Sequence, residues 1–264
     1  MNRRIGAHHI AALVAGFAFL YVPIALLILY SFNASRLVTV WGGFSTRWYG
    51  ELLQNEQLLS SVWISLRVAL LSGAFSAILG TCAAYALVRA GRFRGRTIFS
   101  ALLYSPMIMP EVIVGLALLL FFVAIGLERG FWTVVIAHTT VGMCFATVVI
   151  HARLAEFDRS LEEAAMDLGA TPATTFRTVT LPICAPAIVA AFLLAFTISL
   201  DDFVLASFTA GTGSTTLPMR IYSQVRLGVS PQINAISTLM IAAVAVMLCV
   251  AYFAIGRKGR APAA

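Results

Sequence analysis

The segment Ser160–Pro182 reads SLEEAAMDLGATPATTFRTVTLP and is the longest polar interruption in an otherwise apolar chain. Its pattern predicts a helix, a glycine turn and a second helix. The first helix has two candidate starts: a capping box between Ser160 and Glu163, or a start two residues earlier with Asp158 as the N-cap. Gly169 stands where the left-handed C-terminal cap of this helix is needed.

The second helix of this segment is predicted from its two ends. Thr171 is a suitable N-cap, and Pro172 follows at the first helical position. Pro182 is expected to stop this helix where the next apolar segment begins. The segment therefore predicts a compact, water-facing helical hairpin between two apolar segments.

The composition is that of a membrane protein. Of the 264 residues, 60% are hydrophobic and only 11% are charged, which excludes an ordinary soluble globular domain. Several apolar segments are each long enough to cross about 30 Å of hydrocarbon as a helix. The predicted spans cover residues 10–32, 62–88, 98–123, 131–150, 183–208 and 235–255. We therefore expect a single all-α domain of six transmembrane helices over residues 1–264, with residues 151–182 as a loop before the fifth span.

The distribution of positive charge predicts the topology. The net charge is +7, but the basic residues cluster in short loops between apolar segments, and no basic helix or aromatic platform suggests binding to nucleic acid. With the N-terminus in the cytoplasm, the cytoplasmic segments hold twelve Lys and Arg residues and the outer loops hold five. The positive-inside rule therefore places both termini and the hairpin in the cytoplasm.

The second span carries a face of small residues. Ser72, Ser76, Gly80 and Ala84 repeat every four residues, so they lie on one side of a helix. Small side chains let a second helix approach closely in a membrane. We therefore expect another span to pack against this face.

The third span is interrupted by proline. Pro106 and Pro110 stand four residues apart, and Glu111 follows directly. Proline removes a backbone donor and frees carbonyls that then need neighbouring groups or water. The pattern predicts a broken helix that lines a cavity, with Glu111 next to the break.

Three carboxylates lie in apolar surroundings. Glu111 lies in the third span, and Asp201 and Asp202 stand side by side in the fifth. An ionised carboxylate near the middle of a span costs about 2.5–3.5 kcal/mol, so such groups usually face a pathway or a partner. One interpretation is an ion pair between an aspartate and Arg67; the other is an anionic cluster suited to a cationic substrate. A single arginine cannot neutralise three carboxylates, which favours the cluster.

The loop aromatics and one histidine each allow two interpretations. The aromatic residues of the first outer loop are interpreted either as anchors at the membrane–water interface or as residues that contact a substrate: Trp41, Trp48 and Tyr49. His138 lies inside the fourth span and fits a packing residue better than a proton relay.

The sequence shows no catalytic or metal-binding constellation. The histidines lack metal-ligand spacing, and no nucleophile has a base nearby in sequence. Residues 211–216 are rich in Gly and Thr but lack the lysine of a phosphate-binding loop, because Lys258 is the only lysine in the chain. We therefore expect no metal, no cofactor and no ATP site in this chain. The four cysteines, without CxxC spacing, are predicted to be buried free thiols: Cys82, Cys144, Cys184 and Cys249.

The hairpin resembles the EAA loop in the membrane subunits of bacterial ABC importers. The matching positions are Glu163, Ala164, Ala165, Gly169, Val179, Leu181 and Pro182. These residue types recur at the same spacing in that family, in a cytoplasmic loop before the penultimate span. Val179 stands where the family usually has isoleucine, which is a conservative change.

The resemblance covers nearly the whole chain and points to the second permease of spermidine and putrescine uptake systems. The segments that carry it are 32–35 (FNAS), 46–49 (TRWY), 109–111 (MPE), 199–203 (SLDDF), 216–219 (TLPM) and 233–235 (INA). Glu111 stands where that branch often has aspartate, which keeps the charge on a longer side chain.

The resemblance implies a type I ABC importer permease in the bacterial inner membrane, a transport subunit and not an enzyme. Two permeases, here this chain and a related one, form the pore, and a periplasmic binding protein delivers the polyamine. Two cytoplasmic ATPases bind ATP and Mg²⁺ and each receive one hairpin. Coupling to the ATPase is implied for Glu163, Ala164, Ala165, Gly169, Leu181 and Pro182. The substrate route is implied for Asp201, Asp202, Glu111, Trp48 and Tyr49, since aromatic rings suit ammonium groups.

Two other functions compete with this one. An ABC permease for another solute, such as an anion or a metal chelate, would share the hairpin but would not need the acidic residues. An ion-coupled secondary transporter would work alone; such proteins usually show internal repeats and matching broken helices, whereas this sequence shows one broken helix and no repeat. A third function, a membrane enzyme, has no candidate nucleophile with a base nearby in the sequence, and it would need a base that only the fold brings close.

Overall fold

A computed structural model describes residues 7–37, 40–91, 93–228 and 230–258 of the chain, and most of these residues are helical. The α-helices, in chain order, are α1 (Ala7–Ser31), α2 (Arg47–Leu53), α3 (Glu56–Arg89), α4 (Arg96–Ile108), α5 (Glu111–Ala124), α6 (Phe131–Glu156), α7 (Ser160–Asp167), α8 (Pro172–Thr175), α9 (Leu181–Asp201), α10 (Val204–Thr209), α11 (Leu217–Leu227) and α12 (Pro231–Lys258). A π-helical segment, Phe176–Thr180, joins α8 to α9.

Within the described residues, five helices are long and apolar enough to cross a membrane. They are His8–Ser31 of α1, α3, α6, the run Pro172–Asp201, and Pro231–Val250 of α12. A sixth crossing is present if α4 and α5 count as one broken span. The expected all-α, multi-pass fold is confirmed.

The break in the third span lies where the prolines predict it. α4 ends at Ile108, α5 begins at Glu111, and the two helices are bent by 116°. Met109 is extended, with ψ 141°, because the ring of Pro110 disfavours the helical conformation in the residue before it. Pro110 itself directly precedes α5, where its missing N–H breaks no intrahelical hydrogen bond.

Several helices extend beyond, or end before, the predicted spans. The second span, predicted as 62–88, belongs to a helix that starts at Glu56, and the fourth continues to Glu156. The fifth, predicted as 183–208, is divided because Asp202 is extended between α9 and α10. Hydropathy marks the apolar part of a helix, whereas its ends depend on backbone hydrogen bonds and caps.

The chain forms two compact units. One contains the described residues of Met1–Leu59 and Ile221–Arg257, and the other is built on Ser60–Arg220. In the second unit, α3, α6 and α9 meet in an apolar core. Its buried members are Ala84, Ala146, Ile150, Leu154, Cys184 and Ala191.

The small-residue face of α3 packs against α6, as predicted. The hydroxyl of Ser76 donates to the carbonyl of Thr139 at 3.4 Å. A Cβ added at Gly142 would lie 2.5 Å from Oγ of Ser76, so both helices need small residues at this crossing. The close approach is of the kind that small-xxx-small faces allow in membranes.

Replacing Gly80 by valine is expected to destabilise this contact. A Cβ at Gly80 would lie 2.7 Å from Cβ of Ala146, so the helices must separate. Overpacking of this kind costs about 1–3 kcal/mol and should lower the thermal unfolding midpoint of the protein purified in detergent. Gly16→Val is the matched control, since the space around Gly16 in α1 is open. Equal losses in both variants would contradict a specific contact at Gly80.

Candidate functional site

The start of the hairpin differs from the capping box expected at Ser160. α7 begins at Ser160, so this residue lies inside the helix and the predicted capping box is wrong. The alternative start agrees better, because Oδ1 of Asp158 accepts a hydrogen bond from the N–H of Ser160 at 3.0 Å. A carboxylate suits the positive end of a helix, and this bond lowers the pKa of Asp158 from its ordinary value. Glu163 pairs instead with Arg159, at 3.1 Å.

The predicted glycine cap at the end of α7 is confirmed. Gly169 has φ +89°, in the left-handed region that favours glycine. Its N–H bonds the carbonyl of Met166 at 2.9 Å, and the N–H of Ala170 bonds the carbonyl of Ala165 at 3.1 Å. These are the two bonds of a Schellman motif. Leu168, just before the glycine, keeps 91% of its surface exposed.

The second arm of the hairpin begins as predicted. Thr171 is extended, and its hydroxyl accepts from the N–H of Thr174 at 3.3 Å. Pro172 then occupies the first turn of α8, where its fixed φ suits a helix. Both sides of the glycine turn are therefore capped by groups of the hairpin itself.

The prediction that Pro182 stops the second arm is wrong. The chain continues from Pro172 to Asp201 as one candidate span. The N–H of Leu181 bonds the carbonyl of Phe176, which makes the intervening turn π-helical. Pro182 then falls in the first turn of α9, where it needs no N–H. The hairpin is therefore continuous with a membrane helix, with no flexible linker between them.

The residues that the EAA resemblance implies for coupling to the ATPase lie in three places. Glu163, Ala164 and Ala165 lie on α7, Gly169 forms the turn, and Leu181 and Pro182 begin α9. Ala165 is half-buried and the others are exposed. We call five of the exposed side chains of α7 and its turn the hairpin tip: Leu161, Glu163, Ala164, Met166 and Leu168. Ser160 and Asp167 on the same helix are also exposed. The hairpin tip combines a carboxylate with exposed apolar groups.

Sequence reasoning missed Glu162, the neighbour of Glu163. Glu162 is 6% exposed. Its Oε2 lies 2.7 Å from Nε of Arg89, and its Oε1 accepts from the hydroxyl of Thr180 at 2.5 Å. A signal was available: consecutive helical residues point about 100° apart, so the two glutamates leave α7 in different directions and one can face inward while the other is exposed.

The two aspartates after the fifth span occupy different environments. Asp202 is buried; its Oδ1 accepts from the N–H of Ala206 at 3.1 Å and lies 3.7 Å from Nε2 of His138. Asp201 is exposed at the end of α9. Glu111 is exposed in the first turn of α5 and acts electrostatically on both aspartates. We call Glu111, Asp201 and Asp202 the acidic cluster.

The ion pair between an aspartate and Arg67 is not formed. The guanidinium carbon of Arg67 lies 5.5 Å from the ring centre of Phe131 and 5.9 Å from that of Trp63. Among the ion pairs between described residues, none joins Arg67 to a carboxylate. Arg67 interacts with aromatic faces and leaves the charge of the acidic cluster in place.

His138 belongs to a buried polar chain. Its Nδ1 lies 2.7 Å from the hydroxyl of Ser199, which also accepts a hydrogen bond from Ser72 at 3.0 Å. These contacts join α3, α6 and α9, and His138 also lies 3.7 Å from Asp202 of the acidic cluster. They fit the interpretation of His138 as a packing residue.

Trp48 and Tyr49 lie in the other unit and stabilise the loop after α1. Trp48 is 3% exposed and donates from Nε1 to the carbonyl of Asn33 at 2.5 Å. The guanidinium carbon of Arg47 lies 4.0 Å from the centre of its ring, so this face is occupied in the present conformation. The hydroxyl of Tyr49 lies 2.7 Å from that of Ser31. A role of either ring in substrate contact stays a prediction.

The expectation that all four cysteines are buried is wrong for two of them. Cys144 and Cys184 are buried, as predicted, but Cys82 and Cys249 are exposed. All four are free thiols. Hydropathy shows that a segment is apolar but not which of its faces packs against the rest of the chain.

Comparison with known sequences identifies the family. Residues 76–257 match the family of the binding-protein-dependent transport system inner membrane component. The chain is 52% identical over 254 residues to the putrescine transport system permease protein PotI of Escherichia coli K12, covering 94% of this chain and 90% of PotI. It is 40% identical over 236 residues to the spermidine/putrescine transport system permease protein PotC of the same strain, covering 89% of each.

Solved structures share the fold. The chain aligns with a bacterial ABC transporter that imports the acidic polysaccharide alginate, with a TM-score of 0.69, 17% identity and 94% coverage of each chain. It aligns with the MetNI methionine ABC transporter with a TM-score of 0.60 and 22% identity, covering 77% of this chain and 94% of that one. Identities this low show the fold alone. On the sequence match and the shared fold, this chain is a member of the family of inner membrane components of binding-protein-dependent transport systems.

Proposed function

We propose that this chain is a permease subunit of an ATP-driven importer of polyamines, such as putrescine or spermidine, in the bacterial inner membrane. The observation that carries the proposal is the 52% identity to PotI over 94% of the chain. The acidic cluster supports it from the chemistry of the chain. A transport subunit for an anion would have no use for three neighbouring carboxylates.

The acidic cluster suits the chemistry of a polyamine. A polyamine carries ammonium groups separated by short apolar segments. A route that binds it therefore needs negatively charged groups that alternate with apolar surface. Glu111 and Asp201 offer exposed carboxylates, and Asp202 adds its charge from below the surface. Because Arg67 contacts aromatic rings, it does not compete with a cation for these groups.

The charge distribution supports a cytoplasmic hairpin. Twelve Lys and Arg residues against five favour both termini and residues 151–182 in the cytoplasm. The aspartates of the acidic cluster lie at the far end of α9, about 20 residues beyond the hairpin, and a helix rises about 1.5 Å per residue. In this orientation they lie toward the periplasmic side. This orientation suits a substrate delivered by a periplasmic binding protein.

The hairpin tip is proposed to dock on an ATPase subunit. Its exposed apolar side chains and the carboxylate of Glu163 form a surface of the mixed kind that protein partners bind. Lys258 is the only lysine in the chain and does not stand in a phosphate-binding loop. In the proposed assembly, two cytoplasmic ATPase subunits supply the energy of ATP. A second, related permease completes the pore, and closure of the ATPases rocks the two permeases between outward and inward states.

Reconstitution of the complete transporter tests this proposal. With the second permease, the ATPase and the binding protein in proteoliposomes, we expect uptake of labelled putrescine that requires ATP on the cytoplasmic side. Unlabelled spermidine should compete, and a dicarboxylate of similar length should not. Uptake by the purified chain without an ATPase would instead favour an ion-coupled secondary transporter.

A further inference from the structure

A buried ion pair connects the hairpin to the membrane helices. Nε of Arg89, the last residue of α3, lies 2.7 Å from Oε2 of Glu162 on α7. Nε and Nη2 of Arg89 are both buried without a hydrogen-bond partner in the described part of the chain, so the contact with Glu162 is an ion pair and not a hydrogen bond. The guanidinium carbon also lies 5.6 Å from the ring centre of Phe157. The guanidinium therefore depends on Glu162 for its electrostatic compensation.

The other oxygen of Glu162 is bound by the segment that leads into α9. Oε1 accepts a hydrogen bond of 2.5 Å from the hydroxyl of Thr180, which is itself 1% exposed. Thr180 is the last residue of the π-helical segment, and α9 begins at the next position. One carboxylate thus joins α7 to α3 and to α9.

Glu162 and the hairpin tip lie on different sides of α7. Glu163, the next residue, is exposed and belongs to the hairpin tip, so neighbouring side chains face a partner on one side and the membrane helices on the other. Displacement of α7 must pull or push on Glu162. Because α9 runs on from Thr180 to Asp201, one end of the connected helix reaches the acidic cluster.

We propose that Arg89, Glu162 and Thr180 form the junction that passes movement of the hairpin to α3 and α9. The inference rests on the proposed function, in which an ATPase moves the hairpin. All three are positioning residues, acting through the helices and touching neither substrate nor ATP. A buried ion pair combined with the hydrogen bond from Thr180 suits this task better than an apolar contact, because together they specify a single register between the elements they join.

The exposed pair on the same helix serves as a contrast. Arg159 and Glu163 lie 3.1 Å apart, but both side chains are more than half exposed. Solvent screens such a pair, and exposed pairs contribute little. Among the ion pairs that α7 forms with the described residues, only that of Glu162 is shielded from water.

The test measures uptake and ATP hydrolysis in the same proteoliposomes that hold the complete transporter. For Glu162→Gln and for Arg89→Met, we expect putrescine uptake per ATP hydrolysed to fall about tenfold, as when one partner of a buried ion pair is left uncompensated. ATP hydrolysis per assembled complex should stay close to wild type, because the ATPases still turn over. The exchanged pair, Arg89→Glu with Glu162→Arg, should recover part of the lost ratio.

A variant with a smaller structural change separates a loss of coupling from misfolding. Thr180→Val removes only the hydroxyl and leaves the ion pair of Glu162 with Arg89 in place. It should lower the ratio of uptake to ATP hydrolysis about threefold, within the range for the net contribution of one hydrogen bond. Thr178→Val is its matched control, since the exposed hydroxyl of Thr178 bonds only the carbonyl of Thr174. An unchanged ratio in Thr180→Val and Glu162→Gln overturns the inference. So does a parallel fall of uptake and hydrolysis with the amount of assembled complex, which marks a purely structural role.

The same experiment separates this inference from the proposed function. If the wild-type transporter shows no ATP-dependent polyamine uptake, the proposed function fails. If the wild type transports and the junction variants transport with the same ratio, only the junction is excluded.

Discussion

Gly169→Pro is expected to abolish polyamine uptake while the membrane helices still insert. Gly169 has φ +89°, whereas proline is restricted to about −65°. Proline also removes the N–H that bonds the carbonyl of Met166 at 2.9 Å. Without the Schellman turn, Leu168 and Glu163 no longer hold one fixed arrangement on the surface that we propose to dock on an ATPase. Uptake of labelled putrescine by cells, normalised to the amount of inserted protein, measures the effect.

Gly126 offers a matched control for this substitution. It also has a positive φ, +69°, and its N–H bonds a carbonyl three residues earlier, at 3.1 Å. It lies in the loop between α5 and α6, away from the hairpin. Gly126→Pro should therefore introduce a similar local strain with much smaller loss of uptake. Wild-type uptake by the Gly169 variant would show that the turn is only a linker.

The paired substitution of Asp201 and Asp202 by asparagine is expected to reduce polyamine uptake by about a hundredfold, since attraction between unit charges near a protein surface is on the order of a few kcal/mol. Asparagine keeps the shape, and its carbonyl can still accept from the N–H of Ala206, so α10 should remain capped. A loss of uptake in this variant then results from the loss of negative charge and not from a change in side-chain shape. Initial rates of putrescine uptake over a range of concentrations check this prediction.

The single variants should separate the roles of the two aspartates. Asp201 is exposed, so Asp201→Asn should act mainly by weakening the apparent affinity. Glu128→Gln is the control, because Glu128 is an exposed acid in a loop outside the acidic cluster. Undiminished polyamine uptake in the double variant would contradict the proposed substrate class and favour a permease for another solute.

Local features of the hairpin were largely predictable. The positions of Gly169 and Thr171 follow from backbone rules that operate within a few residues: only glycine readily takes a positive φ, and threonine caps the next helix. The prediction failed at Pro182, because a π-turn in the preceding residues brought the proline into the first turn of α9. Ser160 failed as a cap because it lies inside α7, and its N–H bonds Asp158 instead of Glu163, the partner that a capping box requires.

Partners in space were much harder to predict. The acidic cluster could be proposed from composition, since carboxylates are costly in apolar segments, but the contact of Asp202 with His138 joins two different helices. Likewise, the pairing of Arg67 with aromatic rings and not with an aspartate depends on which faces of α3 and α6 meet.

The sequence by itself determined the all-α membrane fold, the broken third span, the glycine turn and the family. These follow from apolar segment length, proline and glycine chemistry, and motif spacing, all of which are local along the chain. Only the tertiary structure decided that Glu162 faces inward while Glu163 faces outward, and that Arg89 and Thr180 bind its two oxygens. The reason is physical: a buried charge takes its partner from whatever element packs beside it, and that choice depends on residues far apart in sequence.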